Sequence, residues 1–214
     1  MSEQVLSHPL APRRGLQVPG ASHAIALLVS GVLLWTAQEA PLPALGGAAA
    51  FLLLAVEQDV RSMRIPNWLT VPALAGALSY AGFAGGLAGL GAALLGAAAA
   101  FALLFVPFAL RWLGAGDVKA VMVLGALWGA PLLLPVLWWM VVAGGLFALV
   151  VLTTRGGAFD LLERWRDSAR VTFATRKWTY FGPHADSVAA GGVPFAVAIG
   201  LGAAAFQLWG MPWL

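Results

Sequence analysis

Two aspartates in unusual sequence surroundings are the residues of this chain best suited to carry chemistry. Asp59 opens the stretch DVRSMRIPN, residues 59–67, and Asp117 lies in the stretch GAGDVK, residues 114–119. Two carboxyl groups that share one proton can act together, one deprotonating a water molecule and the other protonating an amide leaving group. Their apparent pKa values would then belong to the pair. Hydrolysis of a peptide bond is therefore the first hypothesis.

Neighbouring residues shape the backbone around each acid. Gly114 and Gly116 carry no side chain, so another chain can come close to the backbone just ahead of the second acid. Pro66 disfavours helical geometry at the residue before it, and Asn67 is predicted to cap the helix that follows. The sequence thus predicts one helix that ends soon after the first acid and another that starts near the second.

The ends of these helices are predicted to treat the two acids differently. Asp59 lies near a helix C-terminus, where the macrodipole disfavours negative charge, whereas Asp117 lies near a helix N-terminus, where it favours negative charge. Asp59 is therefore expected to hold a proton more readily than Asp117.

Each acid also has an ordinary interpretation. Asp117 is a good helix-starting residue, with Lys119 as an anchor at the membrane interface. Asp59 fits a solvated loop in which Glu57 and Arg61 form an i,i+4 ion pair. Taken one at a time, the two acids leave both interpretations open.

The composition of the chain predicts where these acids lie. Hydrophobic residues make up 61% of the 214 residues, charged residues make up 10%, and the mean hydropathy is +0.86. Such values are typical of an integral membrane protein. At about 20 residues for each crossing, we expect an all-α bundle of about six or seven membrane segments. The bundle would form one domain, residues 22–214, after a tail, residues 1–21.

The positions of lysine and arginine predict the orientation of this bundle. All 12 fall in the tail or in and beside three connections, at about 59–67, 111–117 and 154–187. By the positive-inside rule the tail and these connections are cytoplasmic and the C-terminus is external, so both acids lie at the cytoplasmic face. The predicted apolar segments are 22–38, 43–58, 68–83, 86–110, 118–130, 131–153 and 188–210.

One stretch of the last connection has the pattern of an amphipathic helix. In FDLLERWRDSARVTF, residues 159–173, one face carries Leu162, Trp165, Ala169 and Phe173, and the arginines lie elsewhere. We expect a helix on the cytoplasmic lipid surface, with its arginines near anionic headgroups. A solvated loop is the alternative.

Other features predict packing rather than chemistry. Gly85 and Gly89 have the spacing that lets membrane helices approach closely. The chain has no cysteine, which excludes a thiolate metal site, and its three histidines are scattered. The stretch PHAD, residues 183–186, is interpreted as solvated loop, so neither a metal nor another cofactor is expected. A net charge of only +3 does not indicate a nucleic-acid partner.

The two acidic stretches together resemble the motifs of the aspartic prepilin peptidases, or type IV leader peptidases, which are GxGD membrane proteases. DVRSMRIPN is similar to the family's first-aspartate motif, and GAGDVK is similar to its GxGD motif. The stretch GGVPFAVAIG, residues 191–200, resembles the family's proline-containing last helix. The resemblance covers roughly residues 45–210.

This resemblance implies a multi-pass protein of the bacterial inner membrane that cuts prepilin-like precursors at the cytoplasmic face, after a short basic leader. Asp59 and Asp117 would be the catalytic pair, acting without a metal. Gly114 and Gly116 would let the substrate backbone approach. The residues expected to shape the motifs rather than react are Arg61, Pro66, Asn67 and Lys119.

The absence of cysteine from this sequence distinguishes it from the larger members of that family. Those members carry an N-terminal domain with a cysteine tetrad and also methylate the new N-terminus, and this sequence contains no cysteine. It resembles the small, peptidase-only subgroup associated with tight-adherence, or Flp-type, pili. We therefore expect leader cleavage without N-methylation.

Two hypotheses from other classes stay open at this point. In a small proton- or ion-coupled transporter or channel, the same aspartates would be ion or proton sites. In an inactive assembly factor for a pilus or secretion apparatus, they would have no chemical role. The sequence leaves the oligomeric state and the particular substrate open.

Overall fold

The regular elements of the described residues are all helical. A computed structural model of the protein describes residues 20–36, 42–110, 112–154, 158–176 and 194–210. The all-α class is therefore confirmed for these ranges. In chain order the helices are α1 (Ala21–Thr36), α2 (Leu42–Ser62), α3 (Asn67–Ala109), α4 (Ala115–Trp128), a short 3₁₀ turn (Ala130–Leu132), α5 (Leu133–Thr154), α6 (Ala158–Thr175) and α7 (Phe195–Trp209).

Helix α3 is a hairpin of two helical arms rather than one straight rod. The chain reverses at Gly86, whose φ of +59° lies in the left-handed region that favours glycine. A side chain at Gly89 would collide with the carbonyl of Ala81, so the two arms touch backbone to backbone just past the turn. The predicted close approach thus holds at Gly89, whereas a Cβ atom built at Gly85 would meet no atom of another part of the chain within 4 Å. The turn falls where the sequence predicts a connection between two segments.

Helix α4 lies in the centre of the bundle, against the second arm of α3. At their crossing, Gly96 and Gly125 face each other, and a side chain on either one would meet the carbonyl oxygen of the other. Small residues at such a crossing let two backbones pack closely. Closer to the start of α4, Val118 and Val121 are almost fully buried. The start of α4 is therefore held firmly in place.

Helices α1, α5 and α7 complete the other side of the bundle. Helix α1 contributes Val29 and Leu33 to the core. At the end away from both acids, the Trp139 ring contacts the Trp209 ring at 5.4 Å, and Trp139 Nε1 donates a hydrogen bond of 2.8 Å to the carbonyl of Gly210. These contacts join the first half of α5 to the C-terminal end of α7.

Two of the helices are long and apolar enough to cross a membrane: Asn67–Ala109, and the 3₁₀ turn with α5, Ala130–Thr154. The helices Ala21–Trp35 and Phe195–Trp209 are apolar but shorter. Large side chains on these helices face away from the protein; Phe83 is 93% exposed and Leu87 is 89% exposed. The number of membrane segments and their orientation stay predictions.

Helix α6 forms within the connection predicted at 154–187, and its start and end match the amphipathic stretch. Leu162, Trp165 and Phe173 are exposed, so no other described helix covers this apolar face. Arg164, in contrast, is buried. The helix is confirmed, while its contact with a lipid surface stays a prediction.

Candidate active site

Asp59 lies in the last turn of α2, and its side chain is buried. Its Oδ2 accepts a hydrogen bond of 2.8 Å from the backbone N–H of Ala196, in the first turn of α7. The first N–H groups of a helix have no partner within the helix, so a carboxylate oxygen placed there satisfies one of them. Asp59 is therefore fixed by a helix far away in the sequence.

Asp117 lies in the first turn of α4, three residues after the N-cap residue Gly114. Its Oδ2 accepts a hydrogen bond of 2.9 Å from the backbone N–H of Gly114. Asp117 thus helps to stabilise the start of α4, as the ordinary interpretation expects. It does so from the third position of the helix and is not itself the N-cap residue. The carboxyl group is only half-buried, so it stays within reach of water.

The two carboxyl groups are close enough to influence each other. Asp59 follows the predicted apolar segment 43–58 and so lies beyond the predicted membrane-spanning part of α2. Burial raises the pKa of the Asp59 carboxyl to about 6, and the negative charge of Asp117 acts in the same direction. The backbone hydrogen bond from Ala196 opposes both. The pKa of Asp59 is thus raised, and the largest cause is burial.

A glycine lets the two acidic stretches interlock. A Cβ atom at Gly116 would lie 2.7 Å from the carbonyl oxygen of Ile65 and 3.3 Å from its backbone nitrogen. Any side chain at this position would therefore push the turn after α2 away from the start of α4. At Gly114, a Cβ atom would instead lie 3.1 Å from Oδ2 of Asp117, so this glycine leaves room for the acid itself.

A second contact joins the same two stretches. The Lys119 Nζ donates a hydrogen bond of 2.7 Å to Oδ1 of Asn67, 52 positions away in the chain. The prediction that Asn67 caps α3 is wrong, because Pro66 is the N-cap residue and α3 has no side-chain cap. Extended backbone at Pro66 leaves Asn67 already inside the helix, with its side chain free to accept from the lysine.

Arg61 points toward α1 and anchors it. The predicted i,i+4 pair forms, with Arg61 and Glu57 at 3.1 Å. Arg61 Nε also donates a hydrogen bond of 3.0 Å to the hydroxyl of Ser22. The Arg61 guanidinium contacts the ring of His23 as well. The same ring approaches Glu57, with 3.2 Å between His23 Nδ1 and Glu57 Oε1. The first apolar segment is thus tied to α2 about half a turn from Asp59.

The sequence does not single out Ala196 as part of the site. A backbone amide leaves no residue-type signal, and the only hint is Pro194, the N-cap residue of α7, in the stretch that resembles the family's last helix. Among the described residues, no group of three or more histidine and acidic side chains could hold a metal ion. His184 and Asp186 of the PHAD stretch lie outside the described residues.

Comparison with known proteins identifies one related family. Residues 46–149 match the model of the type IV leader peptidase family. Neither a curated protein nor a solved structure matches the chain. The matched segment contains both Asp59 and Asp117, and it leaves out the helices α1, α6 and α7.

Proposed function

Because residues 46–149 match the model of the type IV leader peptidase family, we propose that this chain is an aspartic endopeptidase that removes the basic leader from prepilin-like precursors. The family is one of peptidases. The observation that carries the proposal is the meeting of its two acidic stretches, where Gly116 packs on Ile65 and the charge of Asp117 acts on Asp59.

The two acids differ in the way that acid–base hydrolysis needs. Asp117, half-buried at the start of α4, is the carboxylate that takes a proton from a water molecule as the water oxygen attacks the scissile carbonyl carbon. Asp59, buried and with a raised pKa, gives its proton to the amide nitrogen as the carbon–nitrogen bond breaks. Afterwards the proton held by Asp117 can return to Asp59, so the pair is ready for another cycle.

The proposal includes the place of cleavage. The exposed apolar surfaces of α3 and α5 suit a lipid environment. From the arginine and lysine pattern, we propose that the acids lie at the cytoplasmic face of the inner membrane. A precursor whose apolar helix lies in the bilayer would present its leader at that depth. With no cysteine in the sequence, we propose the peptidase-only, Flp-type subgroup and cleavage without N-methylation.

A cleavage assay tests this proposal against the alternatives. Purified full-length protein in detergent micelles is mixed with a synthetic prepilin-like peptide, and the products are identified by mass spectrometry. A peptidase cuts the peptide after its basic leader with no ion gradient present. A transporter, a channel or an inactive assembly factor leaves the peptide whole under these conditions.

Activity should decline as the pH rises through about 6, because Asp59 then loses the proton that it donates. The rate of peptide cleavage measured between pH 4 and pH 8 checks this.

The free energy of unfolding should also fall as the pH rises. The folded protein holds this proton up to about pH 6, while the unfolded chain loses it near the ordinary value of 3.8, so the contribution of Asp59 to stability falls across that window. Melting temperatures between pH 4 and pH 7 measure this, and Asp59→Asn should flatten the dependence. An equally steep dependence in that variant would contradict the assignment.

Replacing Ala196 with proline should move the alkaline decline of activity to higher pH. Proline lacks the N–H that now favours the ionised form of Asp59, and the first turn of a helix tolerates proline. Ala196→Gly is the matched control, since it removes the methyl group and keeps the N–H. The pH profiles of cleavage for both variants decide this point, and identical profiles would count against a role for α7.

A further inference from the structure

An apolar groove lies between the two arms of α3 and the outer side of α4, and the proposed chemistry does not use it. Its volume is about 310 Å³. That is at the small end of the range for pockets that bind small molecules. The residues that matter here are Thr70, Leu74, Phe101, Phe108, Lys119 and Met122. The helical repeat places Asp117 on the other side of α4, so the groove does not open toward the two acids.

One buried polar group in the groove has no partner. Thr70 is 2% exposed, and its Oγ1 forms no hydrogen bond within the described part of the chain. Buried hydroxyl groups in proteins are normally hydrogen-bonded. A ligand that brings a hydrogen-bonding atom into the groove would satisfy Thr70.

A cation stands at the rim of the same groove. The ammonium of Lys119 is held at the level of Asn67, which is three residues, or about 4.5 Å along the helix axis, before Thr70. A lysine ammonium has three N–H donors, and Asn67 accepts one of them. Going inward along the groove, the order is therefore a cation, then a hydroxyl, then an apolar channel.

We propose that this groove binds one acyl chain of an anionic phospholipid. The chain lies along Leu74, Phe101 and Met122, the ester carbonyl accepts a hydrogen bond from Thr70, and the phosphate meets Lys119. Because α3 is one of the two helices able to cross a membrane, its outer surface has lipid as the natural neighbour. The order of cation, hydroxyl and apolar channel follows that of phosphate, ester and hydrocarbon. An apolar peptide helix has no group that could both form a hydrogen bond with the Thr70 hydroxyl and pair with the Lys119 ammonium.

Photo-cross-linking of the delipidated full-length protein tests the proposal. The probe is phosphatidylglycerol with a photoreactive group on one acyl chain, and the cross-linked residues are mapped by peptide mass spectrometry. We expect saturable cross-links to the groove. Met122→Trp, which fills the channel, should lower them about tenfold, and Thr70→Val, which removes one hydrogen bond, should lower them about fivefold. Leu94→Trp, on the exposed outer surface of α3, is the matched control and should leave them unchanged.

Further cross-linking measurements distinguish between the possible occupants of the groove. Diacylglycerol, which lacks the phosphate, should label the groove more weakly than phosphatidylglycerol, and Lys119→Gln should remove that difference. Labelling spread over the outer surface and unaffected by either groove variant would mean ordinary surrounding lipid and would overturn the proposal. Displacement of the probe by a prepilin-like peptide would also overturn it, since the groove would then belong to the substrate. If Met122→Trp fails to fold, Thr70→Val decides. The outcome is independent of whether the protein cleaves peptides.

Discussion

Asp59→Asn and Asp117→Asn should each abolish cleavage of a prepilin-like peptide and leave the helical bundle folded. Asparagine keeps the shape of the side chain but can neither take a proton from water nor donate one to the leaving nitrogen. Loss of such an acid or base lowers the rate by at least about 100-fold. The measurement is the rate of leader removal by purified variants, with helicity and melting temperature recorded beside it.

Glu57→Gln is the matched control for these two variants. Glu57 is an acid on the same helix as Asp59, half a turn away, and it pairs with Arg61 and His23. This variant should keep most of its activity, because a partly exposed ion pair contributes little to stability. If either asparagine variant cleaves as fast as the wild type, that aspartate is not part of the pair.

Gly116→Val should have the second largest effect, although position 116 carries no chemical group. The nearest atoms to a new Cβ belong to Ile65, including its backbone oxygen at 2.7 Å, and backbone cannot turn away as a flexible side chain can. The turn after α2 must therefore move relative to α4, and Asp59 moves with it. A misplacement of about 1 Å at a reacting centre costs about 100-fold in rate.

The control for this variant is Gly91→Val, in the second arm of α3. No atom lies within 4 Å of a Cβ at Gly91, so valine there should leave cleavage close to the wild-type rate. Cleavage rates and melting temperatures of the two variants separate lost alignment from general loss of helix stability. Equal activity in both would mean that the contact between Gly116 and Ile65 does not position the acids.

Local signals in the sequence account for most of the framework. The mean hydropathy and the apolar segments predict the helices, and the gap between the segments 68–83 and 86–110 predicts the connection that forms at Gly86. Pro66 predicts the break after α2. Such signals act over a few residues, so they can be recognised without knowing which helices become neighbours.

Contacts between distant helices could not be predicted in the same way. The hydrogen bond from Ala196 to Asp59 joins positions 137 apart, and a backbone amide looks the same at every residue. The wrong assignment of Asn67 as a cap has a related origin, since its real partner, Lys119, comes from another helix. For Asp59, the sequence argument invoked the helix dipole, whereas the largest cause of the raised pKa is burial, which depends on how the helices pack.

The central claim is that two acids from separate stretches meet in one site, and paired cysteines test it most directly. The chain has no cysteine of its own, so Asp59→Cys with Asp117→Cys gives two unique thiols. Asp59→Cys with Gly91→Cys is the control pair, because Gly91 lies near the α3 reversal, away from the acids. In isolated membranes, a short thiol-reactive cross-linker should join the first pair and not the second. Folded protein in which the first pair cannot be joined would contradict the account.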